Sequence, residues 1–139
     1  MEKQIVKEIQ TKISDQISLW DDITIHPHRF GGIEFQLNGK EIGHIHNFGT
    51  MDILFGNKLR EALVSEELAK PHHIFPQTGW ISYYFESEKD IKNAVWLLRL
   101  SHLLNSLKQK LITIEQLEAR VEALKVSHTI KEIVIRKGS

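Results

Sequence analysis

A chain of 139 residues, 41% hydrophobic and 26% charged, has the size and composition of one globular domain able to bury a core of its own. Its 18 basic residues balance 18 acidic ones, which removes the net attraction that draws proteins to nucleic acid or anionic lipid. The absence of cysteine excludes disulfides, a thiolate metal site and a cysteine nucleophile.

The elements follow in chain order. Ile5, Ile9, Ile13 and Ile17 recur every four residues, with Val6 and Trp20 beside them, and predict an amphipathic helix packed on the core. No charged stretch leads into an apolar run with a cleavage site, and no apolar run reaches the ~20 residues that span a bilayer. A cytoplasmic protein without membrane contact is therefore expected. Ile23-Thr24-Ile25-His26 alternates and is β-branched, a short strand that Pro27 ends. Gly31-Gly32 marks a turn or a close backbone approach. Ile33-Glu34-Phe35-Gln36-Leu37 is a second strand, Asn38-Gly39 a type I′ hairpin turn, and 41–46 the returning strand. Residues 51–55 continue the meander.

A helix is expected over 57–69, with Leu59, Ala62, Leu63 and Val64 inward and Pro71 as its stop. Residues 72–76 form a loop or short strand. Gly79 then precedes an aromatic strand over 80–85. Ser87 with Asp90 caps a long helix carrying Ile91, Ala94, Val95, Leu98 and His102 on one side. Thr113 with Gln116 starts another, with Ile114, Leu117, Val121 and Leu124 inward. Residues 130–135 read equally as strand or helix, and Gly138-Ser139 carries no signal. Hairpin-joined strands beside segregated helices give an α+β fold, with an antiparallel sheet of about four strands packed against N-terminal, central and C-terminal helices in a single domain over 1–139.

Six of the eight histidines fall between His26 and His73. Residues two apart on a strand face one side, so His44 and His46 project together, with Glu41 and Gly43 on the opposite parity. Counting back from the two-residue turn, Glu34 opposes Gly43, and the glycine leaves room for a ligand or for the neighbouring chain. Asp52 follows on the next strand, and His72-His73 leads to Trp80. Two chemistries fit. A His-x-His pair plus a third ligand suits zinc, iron or copper, although no glutamate follows His46 closely and Asp52 is the nearest acid. Alternatively, carboxylates orient imidazoles for metal-free acid–base work, the preferred expectation, with no cofactor. In that reading His44 and His46 are base or polarising pair, and Glu34 and Asp52 are orienting carboxylates. Arg29 clamps an anion, and Phe35 and Trp80 form an aromatic wall with His28, His72 and His73. The bland alternative is a hydrogen-bonded polar cluster on a solvated sheet face. His102 reads as a satisfied core histidine, Trp20 and Trp96 as core, and His128 as exposed.

The order His28-Arg29-Phe30-Gly31-Gly32-Ile33-Glu34-Phe35, then Lys40-Glu41-Ile42-Gly43-His44-Ile45-His46, Gly49, Asp52, His72-His73, Pro76, Gly79-Trp80, Asp90 and Trp96-Leu97-Leu98-Arg99-Leu100 resembles the luciferase-domain family over about 20–104. The family is named for light-emitting enzymes of fungi. Residues 105–139 are a helical extension beyond it. The resemblance implies a small-molecule ligand, aromatic or enolic, and cofactor-independent oxygenase-like chemistry, since the fungal enzymes oxidise a hydroxypyrone with molecular oxygen. A weaker, fold-level similarity links the element order to MmcQ/YjbR-like domains, which are suspected of binding DNA. The balanced charge makes nucleic acid an unexpected partner here. A non-enzymatic interaction module stands as the alternative, and the sequence does not set the oligomeric state.

Overall fold

The computed structural model describes residues 1–138; Ser139 lies outside the described residues. The chain runs α1 (Lys3–Ile17), β1 (Ile23–Pro27), β2 (Ile33–Leu37), β3 (Lys40–Ile45), β4 (Thr50–Leu54), α2 (Asn57–Ser65), β5 (Lys70–Pro71), β6 (Trp80–Tyr84), α3 (Ile91–Lys108), α4 (Ile114–Ala123) and α5 (His128–Gly138). The expected α+β class holds. The sheet has six antiparallel strands rather than about four, in the order β1-β2-β3-β4-β6-β5.

One face of the sheet is the core. Alternation sends Phe35, Leu37, Ile42, Ile45, Met51, Ile53 and Ile81 to that side, where all are buried. Helix α3 crosses behind β2, β3 and β4, flanked by α1, α4 and α5, and α2 packs on β5 and β6. The isoleucine stripe of α1 is buried at Ile9, Ile13 and Ile17, and Gln10 donates from its amide to the Ile45 carbonyl at 3.2 Å. Helix α3 is enclosed almost all round at its C-terminal half, where even Ser101, Asn105 and Ser106 are buried. His102 is buried there as expected. Its Nδ1 faces the Arg99 guanidinium at 2.9 Å and its Nε2 the Asp21 carbonyl at 3.4 Å. Trp20 and Trp96 are only partly buried, the latter donating its indole N–H to the Leu124 carbonyl at 2.9 Å.

Both expected capping boxes form, at Ser87/Asp90 before a single 3₁₀ turn that leads into α3, and at Thr113/Gln116 on α4. Helix α2 ends at Ser65, four residues short of the expected end. Glu67 adopts a left-handed φ of 61°, and the Leu68 N–H closes onto the Leu63 carbonyl at 2.9 Å. Residues 130–135, open between strand and helix, lie in α5, with Ile130 and Val134 buried one turn apart.

The expected β2–β3 register fails at one point. Leu37 opposes Lys40 and Gln36 opposes Glu41, as the Asn38-Gly39 turn requires. Beyond them Phe35 opposes Gly43 and Glu34 opposes His44. Ile42 is the extra residue of a β-bulge. Its carbonyl accepts a 2.7 Å hydrogen bond from the buried Ser101 hydroxyl of α3, so the displaced backbone group is satisfied. Gly43 therefore faces the core and not a ligand. A Cβ there would meet Leu98 Cδ2 at 2.7 Å, so the missing side chain makes room for α3.

Candidate functional site

Among the described residues no helix packs on the opposite face of the sheet, which is polar. Strand alternation places Glu34, His44, Asp52, Trp80 and Ser82 on it, and cross-strand pairing sets His44 opposite Asp52 and Asp52 opposite Ser82. The bulge adds Glu41 to the same face, reversing the parity expected for it. Three loops wall the sheet in. The first, after β1, holds His28, Arg29 and Phe30, and Gly32 lies close against the end of β3. The second, after β3, holds His46 and Phe48. The third, after β5, holds His72, His73, Ile74 and Phe75.

Asp52 is the centre. It is fully buried, and its Oδ1 accepts from the Ser82 hydroxyl at 2.6 Å. Its Oδ2 faces four imidazole Nε2 atoms, of His46 at 2.7 Å, His73 at 3.0 Å, and His44 and His72 at 3.3 Å. The Nε2 atoms of His44 and His46 lie 3.2 Å apart. Glu41 grips His44 from behind, Oε2 to Nδ1 at 2.7 Å, and the His28 ring stacks on the His44 ring at 3.9 Å. Ser82 also accepts the His73 backbone N–H at 3.2 Å, tying the third loop to the carboxylate.

The charges follow from these contacts. Burial alone would lower the His44 pKa, but hydrogen bonds to Asp52 and Glu41 outweigh it and push it up to about 9. Burial alone would raise the Asp52 carboxyl. The bonds it accepts from His44, Ser82, His46 and His73 instead hold it far below the usual carboxylate range. Burial, and next the neighbouring His44, lower His28; burial lowers His72 against the opposing pull of Asp52.

Above the cluster is a cavity of about 600 Å³. Its floor is His28, Glu41, His44, His46, Asp52 and His72, and Trp80 stands at one side with its ring 5.7 Å from His44. Its lip is apolar and exposed: Phe30 at 72%, Phe48 at 58%, Ile74 at 62% and Phe75 at 57%. Of the residues expected from sequence, the fold brings together His28, Arg29, Glu34, His44, His46, Asp52, His72, His73 and Trp80 around this cavity. Arg29 is at the rim, its guanidinium over the Phe30 ring at 4.8 Å. Glu34 is bonded by Gln36 at 2.8 Å. Phe35 is not in the wall. It is fully buried in the core, because it neighbours Glu34 on β2 and must face the other way.

Sequence reasoning missed Glu41, Ser82 and the apolar lip. Ser82 stood two residues after Trp80, on the same parity. Glu41 was hidden by the bulge. The exposed phenylalanines carried no periodic signal, since loops have none.

Residues 39–101 match the Luciferase domain family. The Luciferase domain match runs from the β2–β3 turn into α3 and takes in Glu41, His44, His46, Asp52, His72, His73, Trp80 and Ser82. It leaves His28, Arg29 and Glu34 outside. The resemblance read from sequence holds over that stretch. No curated protein and no solved structure matches the chain. Among the described residues no helix is long and apolar enough to cross a membrane.

Proposed function

We propose that this cavity binds a small molecule with a flat apolar body and one ionisable oxygen, an enol or a phenol, and activates it for oxidation. The observation that carries the reading is the division of the cavity into an apolar lip and a floor of converging imidazoles. Ligand pockets are commonly built this way, from apolar walls and a few placed polar groups, at volumes of roughly 300–1,000 Å³. Phe48, Phe75 and Trp80 supply ring faces for the body. His44 and His46, oriented by Asp52 and Glu41, polarise the oxygen and favour its anion. Arg29 and His73 stand at the sides. The Luciferase domain resemblance supports the next step, in which dioxygen adds to carbon of the anion and the hydroperoxide recovers the proton.

The test is calorimetric titration of hydroxypyrones and catechols into the protein. Saturable binding is expected, weakened about tenfold when Phe48 and Phe75 are both alanine, since each lost aromatic contact is worth about 0.5–1.5 kcal/mol. Alanine at both His44 and His46 should abolish it. If neither compound class binds, or the His44/His46 double variant binds like the parent, the reading fails.

A further inference from the structure

We infer that His44, His46, His73 and Asp52 form a binding site for one divalent transition-metal ion at the floor of the cavity.

The first argument is a count of donors and acceptors. Asp52 Oδ1 is already engaged by Ser82. Its Oδ2 has room for two or three N–H bonds, yet four Nε2 atoms lie within 3.3 Å of it. Two of those nitrogens, of His44 and His46, also confront each other at 3.2 Å. If every ring places a proton there, protons collide. If a cation sits at the focus, those of the nitrogens that can give up their protons offer lone pairs instead.

The tautomers decide which rings take part. His72 Nδ1 accepts the backbone N–H groups of Ile74 at 3.1 Å and Phe75 at 3.0 Å. Its neutral ring therefore carries the proton on Nε2, which donates toward Asp52 and has no lone pair to give. His28 is placed likewise, Nδ1 accepting from the Phe30 N–H at 3.3 Å. His44 is the reverse. Its Nδ1–H donates to Glu41 at 2.7 Å, the carboxylate–histidine pairing that supports metal ligands, so a metal ion arriving at Nε2 has only the proton now facing Asp52 to displace. His46 and His73 share an ion-sized focus with Asp52.

Spacing agrees. The ligand atoms lie 2.7 to 3.3 Å from Asp52 Oδ2. Bonds of about 2.1 Å give polyhedron edges of roughly 3.0–3.4 Å; His73 and His44 already stand at such distances from Asp52, and His46 need only draw back slightly. Three imidazoles and one carboxylate suit zinc, iron or cobalt, while an all-oxygen set would suit magnesium or calcium. A carboxylate to join the His-x-His pair comes from the next strand, six residues after His46. The side facing the cavity is open, where the ligand's oxygen would approach. This inference rests on the pocket reading only in sharing its floor, and supplies the positive charge that polarises that oxygen.

The experiment uses the untagged full chain, stripped with chelator, titrated with Zn²⁺ by calorimetry and with Co²⁺ by visible absorption. One equivalent of each ion is expected, with Co²⁺ bands of a four- or five-coordinate site. His46→Ala, His73→Gln and Asp52→Asn should each weaken Zn²⁺ binding at least 100-fold. Glu41→Gln should weaken it about tenfold through His44. His128→Ala, at an exposed histidine on α5, should leave it unchanged. Circular dichroism confirms that each variant is folded; His73→Gln, at a partly exposed side chain, serves if the buried variants are not. Absence of stoichiometric binding, or binding that His73→Gln retains in full, overturns the inference. Zn²⁺ uptake with no enol or phenol binding would refute the pocket reading alone; ligand binding by a protein that takes up no metal would refute the metal site alone.

Discussion

Replacing Gly32 with alanine separates two costs that glycine hides. Gly32 and Gly39 share nearly the same left-handed backbone, φ of 83° and 85°. A Cβ at Gly39 meets nothing within 4 Å, so Gly39→Ala reports conformational strain alone. That strain is roughly 1–2 kcal/mol, offset by about 0.4–1 kcal/mol from stiffening the unfolded chain. At Gly32 a Cβ would collide with the Ile45 carbonyl oxygen and lie 2.9 Å from His46 Cα. Both are backbone atoms, at the last residue of β3 and the one after it, and cannot swing aside as a side chain would. Overpacking of that kind adds about 1–3 kcal/mol. Gly39→Ala should therefore cost about 1 kcal/mol and Gly32→Ala about 3 kcal/mol. In urea unfolding, with a slope near 1.5 kcal/mol per molar, the midpoints should fall by about 0.7 M and about 2 M. Because the clash pushes the first loop away from His46, Gly32→Ala should also weaken whatever the cavity holds, while Gly39→Ala should not. Equal midpoints for the two variants would refute the claim that the first loop is pressed against β3.

Asp52→Ala should destabilise the chain by about 3 kcal/mol in the same assay, because it strands buried imidazoles around a missing carboxylate; a loss under about 1 kcal/mol would contradict the central role of Asp52. His102 has a folded pKa lowered by burial and then by Arg99, with Arg120 adding to the lowering and Asp21 opposing it. A lowered folded pKa means that the stability His102 contributes is present above its unfolded value of about 6.5 and is lost as pH falls below it. Subtracting the melting-temperature profile of His102→Gln from that of the parent should show a decline below about pH 6.5, and a flat difference would sink the assignment. Thr113→Ala should remove the capping box of α4, costing about 1 kcal/mol and about 3 °C of melting temperature, with Gln116→Ala adding little on top.

Much of the site could be read from the chain because strand parity is a local property. His44 and Asp52 share a face for that reason, and the Asn38-Gly39 turn forms with the expected left-handed φ at both residues. The bulge at Ile42 could not be read, because it is held by Ser101 of α3, about sixty residues away in sequence, and no residue near Ile42 announces it. It alone moved Glu41 to the histidine side and set Glu34 opposite His44 in place of Gly43. Phe35 was misplaced for a different reason: the same parity that joins Glu34 to His44 excludes its neighbour. Strand β5, two residues long, has too little sequence to show a pattern, and the β-branched tail at 130–135 becomes helical because Ile130 and Val134 find the core one turn apart.

The strand-borne part of the floor and the lip of the cavity are made of different material. Asp52, Ser82 and His44 ride on paired strands, while Phe30, Phe48, Ile74 and Phe75 ride on three separate loops. Loops accept insertions and exchanges that strands in register do not. The strand-borne residues and the lip can thus vary separately: Phe30, Phe48, Ile74 and Phe75 can be exchanged without altering Asp52, Ser82 or His44, provided that each loop keeps its own histidines, His28, His46, and His72 with His73.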